Sequence, residues 1–221
     1  MMEISKIKDK AHIFDLDGTL INSMGLWEHF QRDFLAKRGI PFSKDVCDKF
    51  TEVVTPLTPQ ETAAYAIEFF GLTDTIDEFV QELNDMAVDA YTNTVPLKTG
   101  VLEFLKNLRA SGVKMAIATS SPAVLCTAAL NNHNITHMFD TICLTEEIGY
   151  GKSRPDVFLA AAKKLNTQPK DCIVYEDSII AMKTAKSVGM TVYAVYDKTS
   201  EKNWKEIEQI ADKIIYDFIT I

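Results

Sequence analysis

The sequence lacks the features that mark membrane, secreted and nucleic-acid-binding proteins. No uncharged apolar run approaches the roughly 18 residues that a membrane-spanning helix requires, and the charged N-terminus lacks the apolar segment of a secretory signal. Basic residues are in deficit, with 23 Lys and Arg against 31 Asp and Glu, and the net charge of −8 has the wrong sign for binding a phosphate backbone. We therefore expect a cytoplasmic protein that binds neither membranes nor nucleic acid.

Cysteine is also scarce. The four cysteines lie far apart in the sequence and form no C-x-x-C pair, which argues against a zinc site and favours reduced core thiols. The 221 residues are 47% apolar and 24% charged, a composition typical of folded soluble proteins. The chain is therefore long enough for one large domain, or for a main domain with a smaller partner.

Short apolar runs alternate with amphipathic stretches over most of the chain. The runs of strand length are Ala11 to Phe14, Val113 to Ala118, Thr141 to Leu144, Cys172 to Tyr175, Thr191 to Val195 and Lys213 to Tyr216. Helix candidates between them cover residues 101–110, 122–131, 155–164 and 179–188. Strands that alternate with helices of this length predict an α/β fold with a doubly wound parallel sheet.

Residues 23–95 interrupt this alternation, because they contain helix signals and almost no strand signal. Thr58-Pro59-Gln60-Glu61, for example, combines an N-cap, a proline at the first helical position and a capping-box glutamate. The pattern predicts four helices, near residues 25–38, 43–54, 59–70 and 76–92. We therefore predict a four-helix domain of residues 23–95 inserted into an α/β domain formed by residues 1–22 and 96–221.

Two acidic residues, Asp15 and Asp17, follow the first apolar run. Side chains two residues apart at a strand end lie on the same side, so the two carboxylates converge. Open α/β sheets bind ligands beyond the carboxyl ends of their strands, which is where this pair lies. An ordinary acidic turn is the alternative interpretation of this motif taken alone.

Three further polar groups follow strands or precede helices. Thr119, Ser120 and Ser121 gather hydroxyls and backbone N–H groups at a predicted helix start, which is either a phosphate site or a simple helix cap. Lys152 lies just before another helix start, although a lone lysine is usually solvated. Glu176-Asp177 ends a later strand and adds two acids at the same sheet edge.

These groups occur in the order Asp15-Leu16-Asp17-Gly18-Thr19, Thr119, Lys152 and Glu176-Asp177, with a helical insertion after the first. The ordered set resembles the haloacid dehalogenase superfamily, specifically its phosphatase and phosphomutase branch with a helical cap. The resemblance covers nearly the whole chain and implies a Rossmann-like core with a cap domain. The second aspartate points to phosphate esters, because the dehalogenase members lack it.

The resemblance also implies a role for each residue. Asp15 would be the nucleophile that forms an aspartyl-phosphate, and Asp17 the general acid and base. Asp15, the backbone carbonyl of Asp17 and Asp177 would hold Mg²⁺, with Glu176 as an outer or occasional ligand.

Thr119, Ser120 and Lys152 would bind the transferred phosphate, again by resemblance. The implied function is a Mg²⁺-dependent phosphatase that acts on a small phosphorylated metabolite, such as a sugar or polyol monophosphate.

Two alternatives remain. The first is a β-phosphoglucomutase-like phosphomutase, which is disfavoured because Trp27 stands where those mutases carry a histidine. The cap segment Phe50 to Leu97 also contains nine acids and no base with which to hold a second phosphate. The second alternative is a non-enzymatic phosphate-binding or receiver-like signalling module, but a receiver domain is about half as long and has no cap.

Overall fold

The computed structural model describes residues 7–41 and 59–219 together with positions 43, 46, 49, 50 and 53. The contacts between residues divide the chain into two compact units. Unit 1 consists of Met1–Met24 and Thr92–Ile221, and unit 2 of Gly25–Tyr91. The limits of unit 2 lie two and four residues inside the limits predicted for the inserted domain.

Unit 1 contains a six-stranded sheet in which every neighbouring pair of strands is parallel. The strands are β1 (Ala11–Phe14), β2 (Met115–Thr119), β3 (Thr141–Leu144), β4 (Cys172–Glu176), β5 (Thr191–Val195) and β6 (Lys213–Ile215). Their spatial order is β3-β2-β1-β4-β5-β6. The order reverses between β1 and β4, and the carboxyl ends of strands at such a switch point form the usual ligand crevice of this architecture.

The helices of the described residues begin with three that lie wholly or mainly in unit 2, α1 (Leu26–Lys37), α2 (Pro59–Phe70) and α3 (Ile76–Asn93). Those of unit 1 are α4 (Val101–Ala110), α5 (Ala123–Asn132), α6 (Thr145–Ile148), α7 (Asp156–Lys164), α8 (Ile179–Ser187) and α9 (Trp204–Ile210). Short 3₁₀ helices cover Thr136–Met138, Pro169–Asp171 and Lys198–Asn203. No helix in the described part of the chain is both long and apolar enough to cross a lipid bilayer.

The sheet is covered on both faces. Ile13 of β1 belongs to an apolar cluster with Val157 and Phe158 of α7. Its neighbour Phe14 lies on the opposite face, where its ring stacks on Tyr175 at 4.4 Å and meets the edge of Phe104 of α4 at 6.2 Å. Because both faces are covered, β1, β2 and β4 are buried along their whole length rather than at alternate residues.

Unit 2 has its own apolar core, which includes Phe34 of α1, Ala63 of α2 and Phe79 of α3. The start of α3 forms a capping box, with the Thr75 N–H donating to Glu78 Oε2 at 2.9 Å and the Glu78 N–H to Thr75 Oγ1 at 3.3 Å. Most of the helix predicted for residues 43–54 lies outside the described residues, which include five of its positions: 43, 46, 49, 50 and 53.

Several predicted boundaries were wrong by one or two residues. The prediction started β2 at Val113, but the Val113 N–H donates to the carbonyl of Leu108 and so belongs to the end of α4. Pro122 and Pro155 precede α5 and α7 as N-cap residues rather than lying within them. The sequence pattern also missed α6 and α9 altogether.

Candidate active site

Asp15 and Glu176 lie at the carboxyl ends of the two strands that flank the switch point. The Asp15 N–H donates to the carbonyl of Tyr175 at 3.0 Å, which continues the pairing of β1 with β4 by one residue. Glu176 is the last residue of β4, and Asp177 follows it. Adjacent parallel strands end at the same edge of the sheet, so the topology alone brings these three acids together.

The three acids form a buried cluster. One carboxylate oxygen from each of Asp15, Glu176 and Asp177 lies within 4.8 Å of the other two. Gly18 permits this close packing, because its φ of +77° is left-handed and a Cβ there would lie only 2.8 Å from Asp177 Cγ. Three carboxylates that are 5% exposed or less repel one another strongly unless cations neutralise them.

Lys152 supplies one of the required cations. Its Nζ donates to Asp15 Oδ1 and, at 2.8 Å, to Glu176 Oε2. Burial alone would lower the pKa of Lys152, but the nearby charges of Asp15 and Glu176 outweigh burial and raise it, so the ammonium stays charged. The sequence predicted this lysine at the site, and the structure places it there.

The lysine does not fully compensate the acids. Burial, with a further contribution from Glu176, raises the pKa of Asp15 to about 8 despite the opposing charge of Lys152. Burial likewise raises the pKa of Asp177 well above its ordinary value, again with Glu176 adding to the shift. Three carboxylates and one ammonium have a formal charge of −2, which matches a divalent cation. Because oxygen ligands of this kind suit such cations, the cluster can bind a divalent metal.

The carboxylate of Asp17 is held by two hydroxyls. Its Oδ1 accepts a hydrogen bond of 2.6 Å from the Ser23 hydroxyl, and its Oδ2 accepts one from the Ser121 hydroxyl. The sequence interpretation included Ser121 only as a member of the hydroxyl group after β2 and missed Ser23. Ser23 lies in the loop that follows the motif, and its position in the sequence gives no signal of this contact.

The predicted phosphate-binding hydroxyls differ in their environments. Thr119 is buried at the end of β2, and its Oγ1 accepts a hydrogen bond of 3.0 Å from the Ser121 N–H. Ser120 is exposed. At the start of α5, the Ala123 N–H donates to Glu146 Oε1 at 2.9 Å.

Family models and known proteins agree with this geometry. The family described as haloacid dehalogenase-like hydrolase matches residues 12–195. The match covers the sheet from β1 to β5 together with the acidic cluster, Lys152 and the inserted unit. The chain therefore belongs to the haloacid dehalogenase-like hydrolase family, as its motifs predicted.

Particular relatives lie within this family. The chain is 32% identical over 184 residues to the bifunctional riboflavin kinase/FMN phosphatase of Arabidopsis thaliana, covering 83% of this chain and 47% of the relative. It therefore spans about half the length of that two-function protein. It is 29% identical to hexitol phosphatase B of Escherichia coli K12, covering 81% and 80% of the two chains. The β-phosphoglucomutase structure from Clostridium difficile matches with a TM-score of 0.69 and 22% identity, covering 96% and 92%, and shows the shared fold.

Proposed function

We propose that this protein is a Mg²⁺-dependent phosphatase that hydrolyses a small phosphorylated metabolite through an aspartyl-phosphate on Asp15. The observation that carries the proposal is the buried cluster of Asp15, Lys152, Glu176 and Asp177 at the switch point of the sheet. The family supports the reaction class, because relatives of similar sequence are named as phosphatases.

In the first step, a carboxylate oxygen of Asp15 attacks phosphorus, and the bond from phosphorus to the leaving alcohol oxygen breaks. Asp17 gives its proton to that oxygen, so the product leaves as a neutral alcohol. Lys152 donates a hydrogen bond to Asp15 and so restrains the nucleophile. Its positive charge also offsets the charge that develops on the phosphoryl oxygens.

In the second step, Asp17, now ionised, removes a proton from water. The water oxygen attacks phosphorus and breaks its bond to Asp15, which releases inorganic phosphate and regenerates the carboxylate. The Ser23 and Ser121 hydroxyls hold the two oxygens of Asp17, so the same side chain is oriented for both proton transfers.

Mg²⁺ bound by Asp15, Asp177 and the backbone carbonyl of Asp17 would neutralise negative charge between the nucleophile and the phosphate. Glu176 is suited to an outer position, because both of its oxygens already have partners. Its Oε2 accepts from Lys152 at 2.8 Å, and its Oε1 accepts from the Ser178 N–H at 3.2 Å. A bound cation would also lower the raised pKa of Asp15, which would keep the nucleophile ionised at neutral pH.

For the substrate we propose a sugar or polyol monophosphate or a compound of similar size. The names of the relatives support this class, since one is a hexitol phosphatase and the other includes an FMN phosphatase. A screen of phosphorylated metabolites with the purified protein, read by phosphate release, identifies the preferred substrate within this class.

The mechanism is tested by replacing each aspartate with its amide. We expect Asp15→Asn to abolish turnover while keeping the fold, because the amide has nearly the same shape but is not a nucleophile. Asp17→Asn is also severely impaired, and mass spectrometry then detects phosphorylated protein if the first step survives. Chelation of divalent metal silences the wild type, and Mg²⁺ restores it. Substantial turnover by Asp15→Asn, or full activity in excess chelator, contradicts the proposal.

The alternative reaction is that of a phosphomutase, such as the β-phosphoglucomutase that shares this fold. Its product is an isomeric sugar phosphate rather than free phosphate. The two reactions are separated by supplying a sugar 1-phosphate together with a bisphosphate primer. A phosphatase releases inorganic phosphate, whereas a mutase yields the isomeric sugar phosphate.

A further inference from the structure

A buried polar network reaches the acidic cluster from the loop that follows β5. Ser200 lies in the 3₁₀ helix Lys198–Asn203 and is 9% exposed. Its hydroxyl donates a hydrogen bond of 2.8 Å to the backbone carbonyl of Asp177. Asp177 contributes one of the three carboxylates, so this bond ties a candidate metal ligand to the loop of the neighbouring strand.

Asp197 holds the turn on which Ser200 lies. Its backbone carbonyl accepts from the Ser200 N–H at 3.1 Å, and its Oδ1 accepts from the N–H and the hydroxyl of Thr199 at 3.0 and 2.7 Å. Its other oxygen accepts from Lys98 Nζ at 2.9 Å, and the same ammonium donates to the carbonyl of Tyr196 at 2.7 Å. Both carboxylate oxygens and the backbone carbonyl of Asp197 therefore accept hydrogen bonds.

Lys98 connects the network to the loop that carries the first two aspartates. Its N–H donates to the carbonyl of Leu20 at 2.9 Å, and the adjacent Leu97 pairs with Ile21 in a short antiparallel bridge. Leu20 and Ile21 lie in the loop that begins at Asp15. The network thus joins the backbone on either side of the acidic cluster.

We propose that Ser200, held in place by Asp197 and Lys98, is a positioning residue that sets the affinity of the acidic cluster for its divalent cation by fixing Asp177. The inference rests on the proposed function, because it takes Asp177 to be a metal ligand. A ligand must be held to within about 0.5 Å of its productive position. Loss of a group that orients a ligand typically weakens metal binding about 10- to 100-fold.

The test measures Mn²⁺ binding to the substrate-free protein by electron paramagnetic resonance, which detects free Mn²⁺. We expect Ser200→Ala to weaken Mn²⁺ binding about tenfold. The matched control is Thr184→Val, which removes a similarly buried hydroxyl that donates to the Ile180 carbonyl at 2.9 Å in α8. That variant is expected to bind Mn²⁺ like the wild type. Melting curves in chelator verify that both variants are folded.

Lys98→Met is a second test variant. Its expected effect on Mn²⁺ binding is opposite in sign to the effect expected from the loss of its charge alone. Removing a positive charge near the acids would by itself tighten cation binding. If Lys98 acts by holding Asp197, and through it Ser200, binding weakens instead. Tighter or unchanged binding by this variant contradicts the proposal, and so does binding by Ser200→Ala within twofold of the wild type. Equal weakening by Thr184→Val also overturns it. A wild type that binds no Mn²⁺ overturns the proposed metal site itself.

Discussion

At the scale of single residues, two hydroxyls bear on the proposed role of Asp17 as the proton donor. The Ser23 and Ser121 hydroxyls each donate to one oxygen of its carboxylate, so the side chain has little freedom to rotate. A general acid contributes only when it lies within hydrogen-bond reach of the leaving oxygen. Loss of either hydroxyl is therefore expected to slow the step in which the leaving oxygen of the substrate accepts a proton.

We predict that Ser121→Ala lowers kcat/KM for an alkyl phosphate by about tenfold or more. This loss is part of the roughly 10²- to 10⁴-fold rate acceleration that a general acid provides. It lowers kcat/KM for p-nitrophenyl phosphate much less, because nitrophenolate leaves without a proton. Both substrates are compared at saturating Mg²⁺, and Ser121→Thr, which keeps the hydroxyl, is expected to recover most of the loss. An equal loss for both substrates means that Ser121 does not act through Asp17.

His12 is a buried residue for which the sequence suggested no partner. In β1, its Nε2 lies 3.1 Å from the Ile7 carbonyl, and its Nδ1 lies 2.9 Å from the Tyr175 hydroxyl. A neutral ring with the proton on Nε2 satisfies both contacts, since Nε2 then donates and Nδ1 accepts. Burial lowers the pKa of His12 to about 4, although the bond to Ile7 opposes this shift.

This shift predicts a loss of stability in acid. Between pH 6.5 and 4 the unfolded chain binds a proton at residue 12 that the folded chain does not, so the free energy of unfolding falls as the pH falls. The single-site contribution is about 1.4 kcal/mol per pH unit and about 3 kcal/mol in all. Urea unfolding at pH 7, 6, 5 and 4 measures it, with His12→Gln as reference because other titrating groups cancel. Parallel pH curves for the two proteins contradict the prediction.

The sequence predicted some site residues and missed others for a physical reason. Asp15, Glu176 and Asp177 could be predicted to converge, because strands of a parallel sheet end at one edge and the motifs follow strands. Ser23 and Ser200 could not, because each acts from a loop whose path depends on tertiary contacts. A hydroxyl in a loop produces no periodic pattern, and most such hydroxyls are solvated.

At the scale of elements, the mainly apolar runs predicted where the strands lie. β1, β3 and β5 have the predicted limits, whereas the fully buried β2 begins two residues later than predicted. α9 was missed because Lys198–Ile210 is rich in charge, and few of its side chains are buried. Its position depends on contacts with α8 and β5 rather than on local sequence.

In unit 2, Arg38 joins the end of α1 to the start of α3. Its guanidinium donates to both oxygens of Asp74 and to Glu82, and it lies 3.5 Å from the centroid of the Phe34 ring. Hydrogen bonds from Arg38 lower the pKa values of Asp74 and Glu82 despite the opposing effect of burial. Part of the acidity of unit 2 is therefore neutralised within the unit.

We predict that Arg38→Met destabilises the protein by about 1–2 kcal/mol at pH 7, because it leaves the partly buried Asp74 without its cation and leaves Glu82 with Lys37 alone. The difference shrinks as the pH falls below the ordinary pKa of the carboxylates, since protonated acids need no cation. Arg109→Met is the control, because the Arg109–Asp140 pair is far more exposed and is expected to contribute about 0.5 kcal/mol or less. Urea unfolding followed by circular dichroism gives both values, and equal losses count against the Arg38 assignment.

At the scale of the whole molecule, the charge is unevenly distributed. Residues 25–91 contain 13 acidic and five basic side chains, a net charge of −8 that equals the net charge of the entire chain. The acidic and basic side chains of unit 1 are equal in number. The sequence showed this asymmetry directly, whereas the pairing of Arg38 with two of the acids required the structure. The placement of strands and motifs and the net charge of unit 2 could thus be predicted from the sequence, but the ion pairs within unit 2 could not.

The charge asymmetry predicts a preference among substrates. If the acids of unit 2, which has a net charge of −8, face the bound substrate, they repel a second anionic group on it. Bisphosphates and carboxylate-bearing phosphates would then be disfavoured relative to monophosphates with a neutral or cationic remainder. Added salt reduces the difference, because the Debye length falls from about 10 Å at 0.1 M to about 3 Å at 1 M. The measurement compares kcat/KM for a neutral sugar or polyol monophosphate with that for a bisphosphate of similar size, at low and high salt. Equal or better use of the bisphosphate would end the prediction and favour the phosphomutase, whose reaction requires a second phosphate to be bound.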